Sequence, residues 1–312
     1  MRAFVFPGQG SQHVGMGQAL AEAFAPAREV FEEVDEALQE NLSRLMFAGP
    51  EDELTLTRNA QPALLAVSMA VIRTLESDGH RVPDMAALVA GHSLGEYSAL
   101  TAAGCFALAD AARLVRLRGE AMQEAVPVGE GAMAAVLGLD IDTVADIARR
   151  ASTEDEICVV ANDNAPGQVV VSGHRPAVER AVELAREEGA RRSVFLPVSA
   201  PFHSPLMAPA AERMREALAQ VRLAAPTVPV VANVTAAPEK EPETLRSLLV
   251  DQVTAPVRWR ESVERLKAEG IEEVVEIGAG RVLSGLVRRI DRDFSLRNIA
   301  EPAELEAFAA QL

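Results

Sequence analysis

The stretch Ala86–Ala103, AALVAGHSLGEYSALTAA, constrains the fold more than any other part of the chain. An apolar run of strand length, Ala86-Ala87-Leu88-Val89-Ala90, leads straight into Gly91-His92-Ser93-Leu94-Gly95. A helix-forming stretch from Glu96 to Ala103 follows. The pentapeptide fits the G-x-S-x-G elbow, in which a serine sits on a tight turn between a strand and a helix. Glycines on both sides permit the strained backbone and close approach that such a turn requires. Read without its flanks, the same pentapeptide is a glycine-rich turn with an idle serine, so the flanks carry the argument.

The rest of the chain repeats the strand-then-helix step. A strand is predicted at Arg2–Phe6, running into a loop of glycine and glutamine, PGQGSQ. Apolar residues three and four apart predict helices at Ala19–Leu38, Gln61–Ser77 and, after the elbow, Asp110–Val126. Pro127-Val128-Gly129-Glu130-Gly131 breaks the last of these, and shorter elements follow. They read as a strand (AMAAVLG), a helix (Asp142–Arg150), a strand (ICVVA), the turn-rich NDNAPG, a strand (QVVVSG), a helix (Pro176–Glu188) and a strand (RRSVFLPV). The order β-α-β-β-α-β is the ferredoxin-like pattern, expected here as a small domain over 129–195 inserted into a larger one over 1–128 and 196–312. The larger one resumes with a helix at Ala208–Gln220, the strand VPVVAN and helices near Glu243–Val253 and Val257–Glu269. The strand EEVVEIG, a helix at Val282–Asp291, the segment SLRNIA and a short last helix close the chain. Alternating strands and helices predict an α/β fold with a mostly parallel sheet covered on both faces.

With 312 residues, 49% of them hydrophobic, the chain can bury a core without metal or disulfide support. Cys105 and Cys158 lie in apolar surroundings and read as small core residues. Scarce cysteine and no signal peptide point to the cytoplasm. No stretch approaches the roughly 20 apolar residues of a membrane span. The histidines, His13, His80, His92, His174 and His203, have no ligand spacing, so no zinc site is expected. A formal charge of −16 argues against general nucleic-acid binding. It also means that an acidic partner must dock on a local arginine patch, against the overall field.

An elbow serine needs a base. His203, in VSAPFHSP between a predicted strand and helix, is the best candidate, because such loops point side chains into clefts. His92 adjoins Ser93, but neighbours on a sharp turn point apart. Leu94 follows the nucleophile and is expected to offer one oxyanion N–H.

Several ordered stretches carry a family resemblance: FPGQGSQ at 6–12, GHSLGEYSAL at 91–100, RGEAMQEAVP at 118–127, GAMAAVLGL at 131–139, NAPGQVVVSG at 164–173, PVSAPFHSPLM at 197–207 and EIGAGRVLSGL at 276–286. Together they resemble the malonyl-CoA:acyl carrier protein transacylases over almost the whole length. The resemblance implies an α/β-hydrolase-like core with a ferredoxin-like insert. It implies Ser93 as nucleophile and His203 as general base and acid, oriented by a backbone carbonyl at Gln252 in place of a carboxylate. A neutral acceptor can still fix the histidine tautomer. For Gln252 the alternative is an ordinary surface amide. The resemblance adds the backbone N–H of Gln9 as second oxyanion donor, and Arg118 as the guanidinium that pairs with a malonyl carboxylate. Arg113 and Arg116, on the same helix, read as a solvated face. Ala279 stands where the family often has proline.

The activity implied is malonyl transfer from malonyl-CoA to the phosphopantetheine thiol of acyl carrier protein, by a cytoplasmic monomer with no cofactor, for fatty acid synthesis. A polyketide acyltransferase, a serine thioesterase or hydrolase of similar fold, and a non-catalytic carrier-binding subunit are the alternatives. Arg191, Arg192, Arg288, Arg289 and Arg292 are candidates for carrier docking.

Overall fold

The computed structural model describes residues 1–198 and 200–312; Ser199, within the PVSAPFHSPLM stretch, lies outside the described residues. Its strands are β1 (Arg2–Phe6), β2 (Leu88–Gly91), β3 (Gly131–Leu137), β4 (Cys158–Ala165), β5 (Gln168–His174), β6 (Arg192–Phe195), β7 (Val230–Ala232), β8 (Ala237–Glu239), β9 (Glu273–Ile277) and β10 (Ser295–Ile299).

Six strands form one sheet in the order β10-β9-β1-β2-β7-β8, parallel throughout except for the antiparallel edge strand β8. Side chains alternate across it, so β1 serves two cores. Phe4 and Phe6 join Val89 against one set of helices, among them Thr57–Ser77. Ala3 and Val5 join Ala90, Trp259 and Leu283 on the opposite face. Both faces are covered, and the central strands β1, β2 and β7 are accordingly apolar and buried along nearly their whole length. The register pairs Val5 with Ala90 and Phe6 with Gly91. The loop after β1 and the elbow after β2 therefore open level with each other at the carboxyl ends of the strands.

The remaining strands form a four-stranded antiparallel sheet, β4-β5-β3-β6, backed by the helices Ile141–Ala151 and Arg175–Glu187. Through β4 it is tied to the segment just before the helix Trp259–Ala268. Asp163 N–H donates to Val257 O at 3.0 Å and Val257 N–H to Ala161 O at 2.9 Å. The buried Asp163 carboxylate also pairs with Arg260 at 2.9 Å.

Some expected boundaries move. The helix expected at Ala19–Leu38 is two, Gln18–Ala23 and Ala25–Leu38, with Phe24 extended between them, because Pro26 has no N–H to continue the first. NDNAPG is not all turn: β4 runs on to Ala165 through two register shifts, which leaves Pro166-Gly167 to reverse the chain. SLRNIA supplies the edge strand β10.

Candidate active site

β2 ends at Gly91, and the chain turns through Ser93 into the helix Gly95–Ala102. Ser93 has φ of 54°, in the left-handed region that only a tight turn imposes on a serine. The flanking glycines are sterically required. A Cβ on Gly91 would lie 1.9 Å from Gly95 O, and one on Gly95 would lie 2.2 Å from Phe6 O. Gly8 is also too close for a side chain: its Cβ would lie 2.6 Å from His92 O, so the β1 loop presses its backbone against the elbow. Asn233, just past β7, holds the turn from the other side. Its Oδ1 accepts from Ser93 N–H at 2.7 Å and its Nδ2 donates to Gly91 O at 2.6 Å.

The loop after β6 brings His203 to the serine, with Ser93 Oγ 2.8 Å from His203 Nε2. His203 also has φ of 54° and is buried. Its Nδ1 faces two carbonyl oxygens, Gln252 O at 2.9 Å and Ala255 O at 3.1 Å. Carbonyls only accept, so the proton sits on Nδ1 and Nε2 presents its lone pair to the serine hydroxyl. Burial, reinforced by the charge of Arg118, pushes the imidazole down to about 3 against the pull of the two carbonyls. The ring is therefore neutral and able to accept a proton at ordinary pH. His92 turns away, to Asn164 Oδ1 at 2.8 Å and the Trp259 ring.

Arg118 projects from the helix Leu108–Glu124 and is almost wholly buried, at 1% exposure. Nη1 donates to Gln61 Oε1 at 2.8 Å, and Nη2 donates to Gln252 Oε1 at 2.9 Å and to Ser93 Oγ at 3.1 Å. The Gln252 side chain is fully buried, which disposes of a surface amide. Its Nε2 donates to Ser93 O at 3.0 Å and to Glu96 Oε2 at 2.7 Å. No carboxylate contacts His203 among the described residues. Burial drives the Glu96 carboxyl up to about 7, opposed by its hydrogen bonds and by Arg118.

Ser93, His203, Arg118 and Gln61 line a cavity of about 230 Å³ together with Gln9, Leu94, Met122, Met133, Leu196 and Phe202, while Gln252 lies outside that lining and acts on it through Arg118 and His203. Gln9 ties its side chain to Thr57 Oγ1 at 3.1 Å. All six residues singled out from the sequence thus meet at one place. Arg116 departs from its expected solvated face: it is buried and pairs with Glu40 at 2.7 Å, whereas Arg113 is exposed. Glu96, Asn233 and Gln61 went unread. An acid in the otherwise small and apolar EYSALTAA, and an asparagine closing VPVVAN, were the available signals. Both cysteines are buried, with thiols pushed up to about 12. No cluster among the described residues could hold a metal ion, and no helix is long and apolar enough to cross a membrane.

A serine on a strand-to-helix elbow, a neutral histidine against its hydroxyl and a fixed guanidinium beside both are the parts of an acyl-transfer site. The comparisons agree with that class. The acyl transferase domain family matches residues 3–299. The chain is 48% identical over 304 residues to the malonyl CoA-acyl carrier protein transacylase of Bacillus subtilis, covering 97% of this chain and 95% of the relative. The fold matches the crystal structure of an acyl-carrier-protein-S-malonyltransferase from Bartonella henselae with a TM-score of 0.97 at 56% identity, covering 99% and 98% of the two chains. It also matches a malonyl-transacylase solved in complex with a holo type II PKS acyl-carrier protein, with a TM-score of 0.96 at 42% identity over 100% and 99% of the chains. The chain belongs to the acyl transferase domain family and is an acyltransferase.

Proposed function

We propose that the enzyme transfers a malonyl group from malonyl-CoA to the phosphopantetheine thiol of acyl carrier protein, through a malonyl ester on Ser93, to supply fatty acid synthesis. The observation that carries this reading is the Arg118 guanidinium, held by two glutamines with Nη2 3.1 Å from Ser93 Oγ. A carboxylate on an acyl chain joined to that oxygen comes within reach of the guanidinium fork. Serine attacks the thioester carbonyl as His203 Nε2 takes the hydroxyl proton. The backbone N–H groups of Gln9 and Leu94 receive the oxyanion. The carbon–sulfur bond breaks, and His203 returns the proton to the leaving coenzyme A sulfur. The carrier thiol then repeats the sequence in reverse, with His203 deprotonating sulfur and reprotonating Ser93. Gln252 contributes the carbonyl that keeps the His203 proton on Nδ1. The reaction so written calls for no resident cofactor or metal.

We extend the reading to organisation and partners. The β3-helix-β4-β5-helix-β6 order and the sheet order β4-β5-β3-β6 support a ferredoxin-like domain over 129–195, inserted into an α/β-hydrolase-like domain over 1–128 and 196–312. Carrier docking is assigned to Arg191, Arg192, Arg288, Arg289 and Arg292. Two contacts support one continuous edge there: Arg289 Nη1 donates to Gln168 Oε1 at 2.8 Å, and Gly138, whose N–H bonds Gly167 O, packs on Arg191. We place the enzyme in the cytoplasm as a monomer, with no nucleic-acid or membrane partner. Its test is product partition. With malonyl-CoA and holo carrier, the reading predicts malonyl-carrier as the main product, lost in Ser93→Ala. Free malonate as the main product would make the enzyme a hydrolase.

A further inference from the structure

Beneath the elbow, the Glu96 carboxylate is 1% exposed. Its Oε2 accepts from Gln252 Nε2 at 2.7 Å and from Asn233 N–H at 3.1 Å. Its Oε1 has no partner among the described residues. Glu96 lies in the first turn of the helix Gly95–Ala102, where an acid commonly serves the free N–H groups of its own helix. Here both donors come from elsewhere, 156 and 137 residues along the chain. Each donor residue in turn holds the site. Asn233 fixes the Ser93 N–H, while Gln252 touches Ser93 O, receives Arg118 on Oε1 and, through its backbone, orients His203.

The chemistry of an amide makes this arrangement directional. Reversed, Gln252 would turn its NH₂ toward the Arg118 guanidinium, setting donor against donor. Glu96 Oε2 already accepts from two N–H groups, so Glu96 holds the NH₂ end of the amide and leaves Gln252 Oε1 for arginine. We infer that Glu96 is a positioning residue for donor selection: it sets the Gln252 amide, and through it the Arg118 guanidinium, for the carboxylate of the incoming acyl group. The inference rests on the malonyl-transfer reading. It does not make Glu96 a catalytic residue, since its carboxylate bonds Gln252 and Asn233 and neither Ser93 Oγ nor the imidazole.

Glu96→Leu removes the acceptor at similar size, Glu96→Gln retains one oxygen for the two donors, and all are compared by Ser93 acylation with malonyl-CoA and acetyl-CoA. Losing the orientation of a charge-assisted bond predicts a KM for malonyl-CoA raised about tenfold in Glu96→Leu, with kcat and the acetyl-CoA reaction within about threefold of wild type. Glu96→Gln is expected within about threefold of wild type for both donors. Should Glu96→Leu fail to fold, Glu96→Asp, which withdraws the oxygen by one methylene, reads the same split. Parallel losses for the two donors, or an unchanged malonyl KM, would overturn the inference. Wild type and Arg118→Ala run alongside: a wild type indifferent to the malonyl carboxylate would refute the transfer reading itself, whereas a selective wild type with an unselective response to Glu96 refutes only the inference.

Discussion

Ser93 and His203 both occupy left-handed backbone at φ of 54°, and such strain persists only where the surroundings over-determine it. The hydrogen bond between them is what that strain holds in place. His203→Ala removes the proton acceptor and is expected to slow Ser93 acylation roughly 10²–10⁴-fold while leaving malonyl-CoA binding intact. A near-normal single-turnover rate would move the base elsewhere. Because burial lowers His203 to about 3, its base form persists as pH falls, and protonation becomes appreciable only near that value. Acetyl-CoA acylation is therefore expected to be flat from about pH 5 to 8; a limb descending toward acid with a midpoint near 6.5, the ordinary histidine value, would contradict a buried neutral ring. Arg118→Ala removes the proposed partner of the malonyl carboxylate and should lower malonyl kcat/KM at least about tenfold while sparing acetyl transfer. Parallel decreases would make Arg118 structural. Ser93 and His203 were legible as residue types in context. Gln252 was not, apart from the family resemblance, because the group it presents to His203 is a backbone carbonyl, which leaves no mark on side-chain pattern. Glu96 and Asn233 act through bonds between segments more than a hundred residues apart, beyond the reach of local spacing.

At the scale of elements, apolar periodicity located most strands and helices because each buries one face or both. It missed β10, whose SLRNI buries only Ile299 and has little apolar signal, and it read the bulged end of β4 as a turn because NDNA carries turn residues. The strand there is held by partners on Val257 and Arg260, which sequence pattern does not reveal. The elbow is the element with least freedom. Gly95→Ala would drive a Cβ to 2.2 Å from Phe6 O, forcing helix and β1 apart. Overpacking of this kind costs about 1–3 kcal/mol, a fall of several degrees in melting temperature. Gly285→Ala makes the contrasting case. It lies in the exposed middle of Val282–Ile290 with nothing within 4 Å of the added carbon, so it should stabilise by about 0.4–1 kcal/mol. Scanning calorimetry of both variants checks the pair, and equal effects would refute the steric argument.

At the scale of the whole molecule, the carboxyl ends of β1 and β2 bring the Gly8-Gln9 loop and the elbow together, while β4 carries Asn162 to the cavity and Asn164 to His92. The fold class was legible from element order, since alternating strands and helices admit few topologies. The proposed docking arginines could be named from the sequence, but the contacts of Arg289 with Gln168 and of Arg191 with Gly138 could not, because they join segments far apart in sequence. Reversing Arg288 and Arg289 to glutamate is expected to weaken transfer to an acidic carrier protein while leaving transfer to free pantetheine unchanged; equal losses would remove the docking assignment. The central claim is that a malonyl group rests covalently on Ser93 between donor and carrier. Intact-protein mass spectrometry after mixing with malonyl-CoA, followed by a chase with holo carrier, reads it directly. The account predicts one malonyl adduct, mapped to Ser93, that persists until the carrier arrives and then appears on the carrier thiol. An enzyme that stays unmodified while malonyl-carrier accumulates, or an adduct on another residue, would contradict it.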